Sequence, residues 1–599
     1  MDFKHGLAVS AGVAIGPALI LERQWFRLPV RFLRPEQASQ EVQRFRQALE
    51  QAIQEVCQIQ QAVTARLGGQ YGAIFAAHAQ LLTDPHLRRE VEQLIEKEHH
   101  AAESAVTEVL QRYARALESV KSEYLAGRAA DIFDIERTIL DHLLGQRREQ
   151  LRKLDHPVII LAHDLTPAET AGLDPHTVHA FATEAGGRTS HTAIVAGVLE
   201  IPAVVGAGPF LSEVNDGDLV IVDGNEGTVI LDPDLEIRRN YDLRARGFSA
   251  RQHELVQLRS LPAETLDGTR VSLRGNIEFP HETDHCLERG AEGIGLYRTE
   301  FLYLDHLTHP TEDEHFEAYR SVIQAMGKDR PVVIRTLDLG ADKFFPLPVP
   351  DPGEFLSAAG DWSGAETRMA ERNPFLGLRS VRLCLRNLGL FKTQLRAILR
   401  ASAYGDVRLL FPMISTLLEL RQCKMVLAEV KEDLEEEEIA FNPRLPIGTM
   451  IEVPSAAILA EEFAREVDFF SIGTNDLIQY TLAADRNNEA VASLYDAGDP
   501  AVLRLIDRVV RAAATRHLEV NVCGEMSGDP LYTILLLGLG LRQLSLSPHN
   551  IPEIKKVIRS ATQSDAVAVA REALRLETAR DVNNYLREQT RRIYPEALG

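Results

Sequence analysis

Apolar residues recur at helical spacing four times in the N-terminal quarter of the chain. Val42, Phe45, Leu49, Ala52, Val56, Ile59 and Val63 step by three and four, a heptad seam along one long helix. A second helix opens at Asp84-Pro85, an N-cap followed by proline at the first helical position, and carries Leu87, Val91, Leu94 and Ile95. A third runs through Val106, Leu110, Tyr113, Leu117 and Val120, and a fourth through Ile132, Ile135, Ile139 and Leu143. Four amphipathic helices with short connections predict a bundle.

Short β-branched runs flank this helical block. Leu7–Val9 and Ala18–Leu21 read as strands joined by a glycine turn, as do Pro157–Leu161 and Val178–Phe181. Leu219–Val222 and Thr228–Leu231 enclose Asp-Gly-Asn-Glu-Gly and predict a hairpin. Residues 150–232 therefore read as a compact α/β domain. Residues 234–262, rich in Arg, Glu and Gln, predict a helical linker. Beyond it, strand and helix alternate. The predicted strands are Val271–Leu273, Ile294–Leu296, Val332–Ile334, Leu409–Phe411, Ile447–Ile451, Phe469–Ile472, Val520–Val522 and Gln543–Leu546. Eight βα units fit a (β/α)₈ TIM barrel over 263–575; a doubly wound sheet is the alternative topology. Residues 576–599 read as a C-terminal helix and tail. Pro348–Met369 has no period and predicts a surface loop.

The length of 599 residues agrees with a multidomain chain. Its net charge of −22 excludes a general nucleic-acid surface and an electrostatic lipid anchor. The excess acid either serves solubility or steers a basic protein partner. Five widely spaced cysteines, with no CxxC, predict neither a disulfide framework nor a zinc site. The uncharged stretch Gly6–Leu21 lacks a positive flank and is broken by Gly12, Gly16 and Pro17, so it is no signal peptide. No apolar run approaches a membrane span. The expectation is a cytoplasmic protein without membrane insertion.

Polar groups then stand out against this frame. Gly186-Gly187-Arg188-Thr189-Ser190 precedes His191, which would open a helix over Thr192–Leu199. Glycines permit close backbone approach, and a helix N-terminus favours an anion. His191 is thus either a nucleophile in a phosphate cradle or a simple helix cap. In the barrel, functional residues gather where strands end. Arg298, Arg335, Glu452, Asn475, Asp476 and Cys523 all fall there, with Arg486 ten residues beyond Asp476. Arginines suit a bidentate grip on phosphate or carboxylate. Two carboxylates suit Mg²⁺, which keeps water and substrate phosphate among its ligands.

These residues carry a resemblance. Gly-Gly-Arg-Thr-Ser-His-Thr-Ala-Ile-Val-Ala (186–196) resembles the phosphohistidine loop of the PEP-utilising enzymes, PEP being phosphoenolpyruvate. Asp-Phe-Phe-Ser-Ile-Gly-Thr-Asn-Asp-Leu-Ile-Gln-Tyr (468–480), with Asp485-Arg486, resembles their PEP-site motif. Asp-Leu-Thr-Pro-Ala-Glu-Thr (164–170), Ala-Glu-Gly-Ile-Gly-Leu-Tyr-Arg-Thr-Glu-Phe-Leu (291–302) and Asn-Pro-Phe-Leu-Gly (373–377) narrow the resemblance to the Enzyme I family of the bacterial sugar phosphotransferase system.

The resemblance implies Mg²⁺-dependent phosphoryl transfer from PEP to His191 and on to a histidine of the phosphocarrier HPr, with release of pyruvate. It implies that Thr166 orients the His191 ring, that Arg298, Arg335, Arg486 and Asn475 bind PEP, that Glu452 and Asp476 hold Mg²⁺, and that Cys523 protonates the enolate. It further implies one phosphohistidine α/β domain made of residues 1–33 and 146–233 with the bundle of 34–145 inserted in it, a homodimer through the barrel domain and HPr docking on the bundle. Phe75, His78, Leu82 and Asp84 are the docking candidates, with bundle core or helix caps as the other reading. Two positions depart from the family: Gly197 stands where Arg is usual, for which Arg188 is the available substitute, and Arg372 stands where Glu is common. PEP synthase and pyruvate phosphate dikinase share these motifs, but need a large N-terminal ATP-binding region for which about 150 residues leave no room.

Overall fold

The computed structural model describes residues 2–21, 31–67, 75, 78–118, 123–144, 156–165, 169–170, 173–174, 176–187, 201–304, 309–340, 373–486, 488 and 491–595. The chain divides into two compact units, residues 1–252 and the chain from His253 onward. Helix Leu235–Gln257 runs across the boundary, within the segment expected to link them.

The first unit holds an eight-stranded sheet. Its strands are β1 (Asp2–His5), β2 (Leu7–Ser10), β3 (Val13–Leu21), β4 (Val158–Ala162), β5 (Val178–Thr183), β6 (Ala203–Val205), β7 (Leu219–Asp223) and β8 (Thr228–Leu231), in the order β1-β8-β7-β3-β4-β5-β6-β2. The hairpin β7–β8 is antiparallel and β3–β4–β5–β6 is parallel. Central strand β4 is buried on both faces, which is why it reads as an unbroken apolar run. Val158, Ile160 and Ala162 face one core; Ile159 and Leu161 face another.

The four predicted helices are Ala38–Leu67, Pro85–Lys97, Ala102–Glu118 and Glu123–Leu144. Asp84 caps the second, its carboxylate accepting from the His86 amide at 2.8 Å. The bundle core is continuous with one face of the sheet: Phe45, Val91, Val106 and Ile135 belong to the same cluster as Val158, Ile160 and Phe181.

The second unit is the barrel. A short β9 (Ala263–Glu264) pairs antiparallel with β10 (Arg270–Ile277). Parallel strands β10, β11 (Ile294–Tyr297), β12 (Val332–Arg335), β13 (Val407–Phe411), β14 (Ile447–Ile451), β15 (Phe469–Ile472), β16 (Glu519–Val522) and β17 (Gln543–Leu546) follow in order, and β17 pairs back onto β10. That pairing closes the sheet, so the doubly wound alternative is excluded. Outward residues such as Val271, Ile334 and Leu409 meet the helices in the main core. Inward residues Leu296, Val333, Leu410, Met450 and Phe469 form a small interior layer, with Cys523 against it.

Helix Ala579–Ile593 belongs to the barrel unit, burying Val582 and Leu586 in its core, and Tyr532 donates to Asn583 Oδ1 at 3.0 Å. Its amphipathic face has a partner because helix Pro530–Gly538 is apolar all round. The expected loop Pro348–Met369 and the position of Arg372 lie outside the described residues.

Gly538 marks the tightest helix contact. A Cβ built there would meet Ala570 Cβ at 2.8 Å and crowd the Ala566 carbonyl more closely still. Gly538→Ala should therefore push helix Gln563–Ala573 away and lower barrel stability by about 1–3 kcal/mol, read as a fall in the denaturation midpoint.

Candidate active site

Parallel strands all release their chain at one rim, so residues distant in sequence converge there. Arg335 ends β12. Its guanidinium reaches Glu300 Oε1 at 2.9 Å and Asp338 Oδ2 at 3.1 Å. Asp338 also meets Arg379 Nη2 at 3.1 Å, and Arg379 Nη1 lies 3.6 Å from Asp476. Burial alone would lower both arginines, but Glu300 and Asp338 at Arg335, and Asp338 and Asp476 at Arg379, hold them charged.

Glu452 follows β14 and is buried. Its Oε1 accepts from the Met413 amide at 2.6 Å, and Met413 takes a left-handed φ of 53° next to that bond. Asp476 sits in the first turn of helix Thr474–Leu482, after β15. Burial, Asp476 and Asp338 push the Glu452 carboxyl above the usual carboxylate range, and burial and Asp338 do the same to Asp476. Gly473 stands between them, where a Cβ would come within 2.7 Å of Glu452 Oε2.

Arg298 follows β11 and pairs with Glu278 at 2.7 Å. Asn475 donates to Glu525 Oε1 at 3.0 Å and accepts from the Glu525 amide at 2.9 Å. Arg486, exposed, reaches the same carboxylate at 3.1 Å. Cys523 follows β16 and is buried, which pushes its thiol up to about 11. A cleft of about 620 Å³ opens above β16, β17, β10 and β11, with Arg298, Cys523, Ser547 and Asn550 in its wall.

The four arginines thus face six carboxylates: Glu278, Glu300, Asp338, Glu452, Asp476 and Glu525. Glu452, Asp476 and Asp338 repel one another, a crowding of carboxylates that fits a divalent cation. Among the described residues no three His, Cys, Asp or Glu side chains could hold a metal by themselves. Glu452 and Asp476 would supply two oxygen ligands, leaving positions for water and substrate, a donor set that suits Mg²⁺.

Sequence reasoning missed Asp338, Glu300 and Arg379 as site residues. Asp338 and Glu300 lay in view, three residues after Arg335 and two after Arg298. Arg379 lay two residues beyond Asn-Pro-Phe-Leu-Gly, and that motif has its place here: Tyr480 donates to the Phe375 carbonyl at 2.5 Å, and Arg379 lies over the Phe375 ring. Gln394 was missed as well. Buried on helix Leu388–Ala401, it accepts from the Leu337 amide at 2.9 Å and donates to Thr299 Oγ1 at 2.9 Å, while Thr299 donates to the Arg335 carbonyl at 3.0 Å. It ties the end of β12 to that of β11.

In the first unit, His191, Thr166, Arg188, Gly197 and the helix over Thr192–Leu199 lie outside the described residues. The strand ends that lead to them are described. Glu184, just after β5, accepts from the Phe210 and Leu211 amides at 2.7 and 2.8 Å, and lies 2.8 Å from His163, just after β4. Of the docking candidates, Phe75, His78 and Leu82 are buried, and Phe75 and Leu82 are core residues. Asp84 is the cap described above. None of the first three presents a face to a partner.

Comparison with known proteins identifies the family. Profiles of the PEP-utilising enzymes match the chain three times: the PEP-binding domain over residues 252–563, the N-terminal domain over 5–128 and the mobile domain over 154–227. The phosphoenolpyruvate-protein phosphotransferase of Bacillus sp. (strain S) is 43% identical over 584 residues, covering 97% of each chain. That of Staphylococcus carnosus (strain TM300) is 41% identical over 587 residues, covering 98% of this chain and 99% of its own. An NMR solution structure of Enzyme I (nEIt) is 40% identical and covers 41% of this chain and 99% of its own, with a TM-score of 0.37. With its barrel rim and these full-length relatives, the chain belongs to the phosphoenolpyruvate-protein phosphotransferase family of PEP-utilising enzymes.

Proposed function

We propose that this chain takes the phosphoryl group of PEP onto His191 in the presence of Mg²⁺, releases pyruvate, and passes the phosphoryl group to a histidine of HPr, the first step of the sugar phosphotransferase system. One observation carries the reading: arginines, paired carboxylates and a buried thiol meet at one barrel rim, in a chain whose full-length relatives are phosphoenolpyruvate-protein phosphotransferases.

The chemistry follows from the charges. Arg298 and Arg335 grip the phosphate, and their fixed positive charge offsets the charge spread over the transferring group. Arg486 and Asn475 hold the rest of PEP. Glu452 and Asp476 would hold Mg²⁺, which when bound supplies positive charge at the phosphate. His191, its ring oriented by Thr166 and its phosphate met by Arg188, attacks in line; the P–O bond to the enolate breaks as the P–N bond forms. Cys523 gives its thiol proton to the enolate carbon, and pyruvate results. A thiol held well above neutral pH is protonated and suited to this role.

HPr docking is proposed on the bundle, on a surface other than Phe75, His78 and Leu82. Homodimerisation through the barrel is supported by exposed apolar residues on neighbouring helices: Leu418 and Met425 on Leu417–Glu436, Ile458 on Pro454–Ile458. No helix among the described residues is long and apolar enough to cross a membrane, and all five cysteines are free, which supports a cytoplasmic placement.

Radiolabelled phosphate from PEP should appear on the protein and then on added HPr, without nucleotide. His191→Ala should abolish both transfers while PEP still binds; transfer surviving in this variant overturns the reading. Glu452→Gln should raise the Mg²⁺ concentration for half-maximal phosphorylation on the order of a hundred-fold. It should leave the unfolding midpoint unlowered, since the amide removes a buried repulsion and still accepts from Met413.

A further inference from the structure

The inward face of the barrel is mostly apolar, yet two polar side chains sit below Cys523. Ser471 on β15 and Asn521 on β16 are direct neighbours in the parallel register, and Cys523 is two residues further along the same face as Asn521. Ser471 and Asn521 are buried, among the apolar layer of Met450, Phe469 and Leu410. Buried polar groups need partners, and the partners here fix a direction.

The Asn521 amide nitrogen lies 3.4 Å from the Gly295 carbonyl and 3.2 Å from Ser471 Oγ. A carbonyl only accepts, so the end of the amide that faces Gly295 must be the nitrogen. That same nitrogen donates to Ser471, whose oxygen is thereby an acceptor. The Ser471 hydrogen is left to point at Cys523 Sγ, 3.3 Å away. Asn276 holds the other end of the same residue, donating to the Cys523 carbonyl at 3.0 Å, while Ser545 donates to Asn276 Oδ1 at 2.5 Å. In this resting state the thiol proton faces the Ile472 carbonyl at 3.6 Å.

We propose that Ser471 is a positioning residue for Cys523: its hydroxyl, aimed by Asn521, donates to Sγ and stabilises the sulfur anion left when the thiol gives up its proton. The inference rests on the reading of Cys523 as the acid. In that step the S–H bond breaks, a C–H bond forms at the enolate carbon, and the negative charge passes from enolate to sulfur. Water entering the cleft after pyruvate leaves returns the proton. The charged groups facing the sulfur are Glu452 from the end of β14, which disfavours the anion, and Arg335 and Arg298 from the ends of β12 and β11, which favour it. Ser471 adds a neutral donor from below. The hydroxyl neither meets the phosphate nor lies on the cleft wall, so its effect should fall on proton transfer alone.

The reverse of the proton step isolates it from phosphoryl transfer: the Cys523 thiolate removes a methyl proton of pyruvate, and in D₂O with Mg²⁺ the methyl signal is lost by NMR. Ser471→Ala should slow this exchange roughly ten- to a hundred-fold, the worth of one hydrogen bond to a charged group, with the KM for PEP unchanged. The ultraviolet titration of the Cys523 thiolate, taken as the difference between Ser471→Ala and Ser471→Ala/Cys523→Ala, should move up by roughly one pH unit or more relative to the same difference in the parent protein. Loss of stability alone would move neither the titration nor the ratio of exchange to KM. Parent-like exchange in Ser471→Ala, or an unmoved titration, with exchange abolished in Cys523→Ala, overturns the inference and leaves Cys523 as the acid. Parent-like exchange in Cys523→Ala overturns both.

Discussion

Asp338 is bound on two sides by arginines, and the rim of the barrel is organised around it. Its carboxylate meets Arg335 at 3.1 Å and Arg379 at 3.1 Å, and all three groups are largely removed from water. Burying such charges costs several kcal/mol each, and the cost is offset only when every group keeps its partners. Here Arg335 also holds Glu300, and Arg379 also leans on Asp476. The lattice therefore spans the ends of β11, β12 and β15 and keeps the guanidinium planes from wandering. It also leaves Glu452 beside two other carboxylates, Asp476 and Asp338, which together with burial push its carboxyl up.

The interior of the barrel grades the environment beneath this lattice. Val333, Leu410, Met450 and Phe469 make one side of the interior dry, whereas β10, β16 and β17 contribute Asn276, Asn521 and Ser545. Cys523 stands where the two sides meet. Its backbone is tied to the polar side, and its sulfur packs against the apolar side. The dry side keeps the thiol protonated by withholding water from its anion. Ser471, on β15 beside the polar side, offers the sulfur one hydroxyl.

In the first unit the bundle and sheet are less separable than an inserted domain suggests. Alternation along β4 gives the bundle one half of the strand and the other layer the rest. The bundle therefore covers a sheet face that would otherwise meet water, and its apolar stripes are spent on that task. Phe75, His78 and Leu82 are buried within it.

All eight barrel strands, the four helices and the hairpin β7–β8 were legible in the sequence, because each is set by a local rule: period two or near-continuous burial for strands, period 3.6 and an Asp-Pro start for helices. Arg298, Arg335, Glu452, Asp476 and Cys523 were legible too, since any strand of a parallel barrel delivers its last residues to the same rim. What lay beyond the sequence was partnership. Nothing near Asp338 in the chain announces Arg379, forty-one residues away, and nothing near Ser471 announces Asn521 and Cys523. Burial of a stripe against a sheet, closure of β17 on β10, and capture of helix Ala579–Ile593 are likewise long-range. Local periodicity determines which residues face inward; only the closed fold decides what they meet there, because hydrogen bonds and ion pairs act through space over a few ångströms and take no account of distance along the chain.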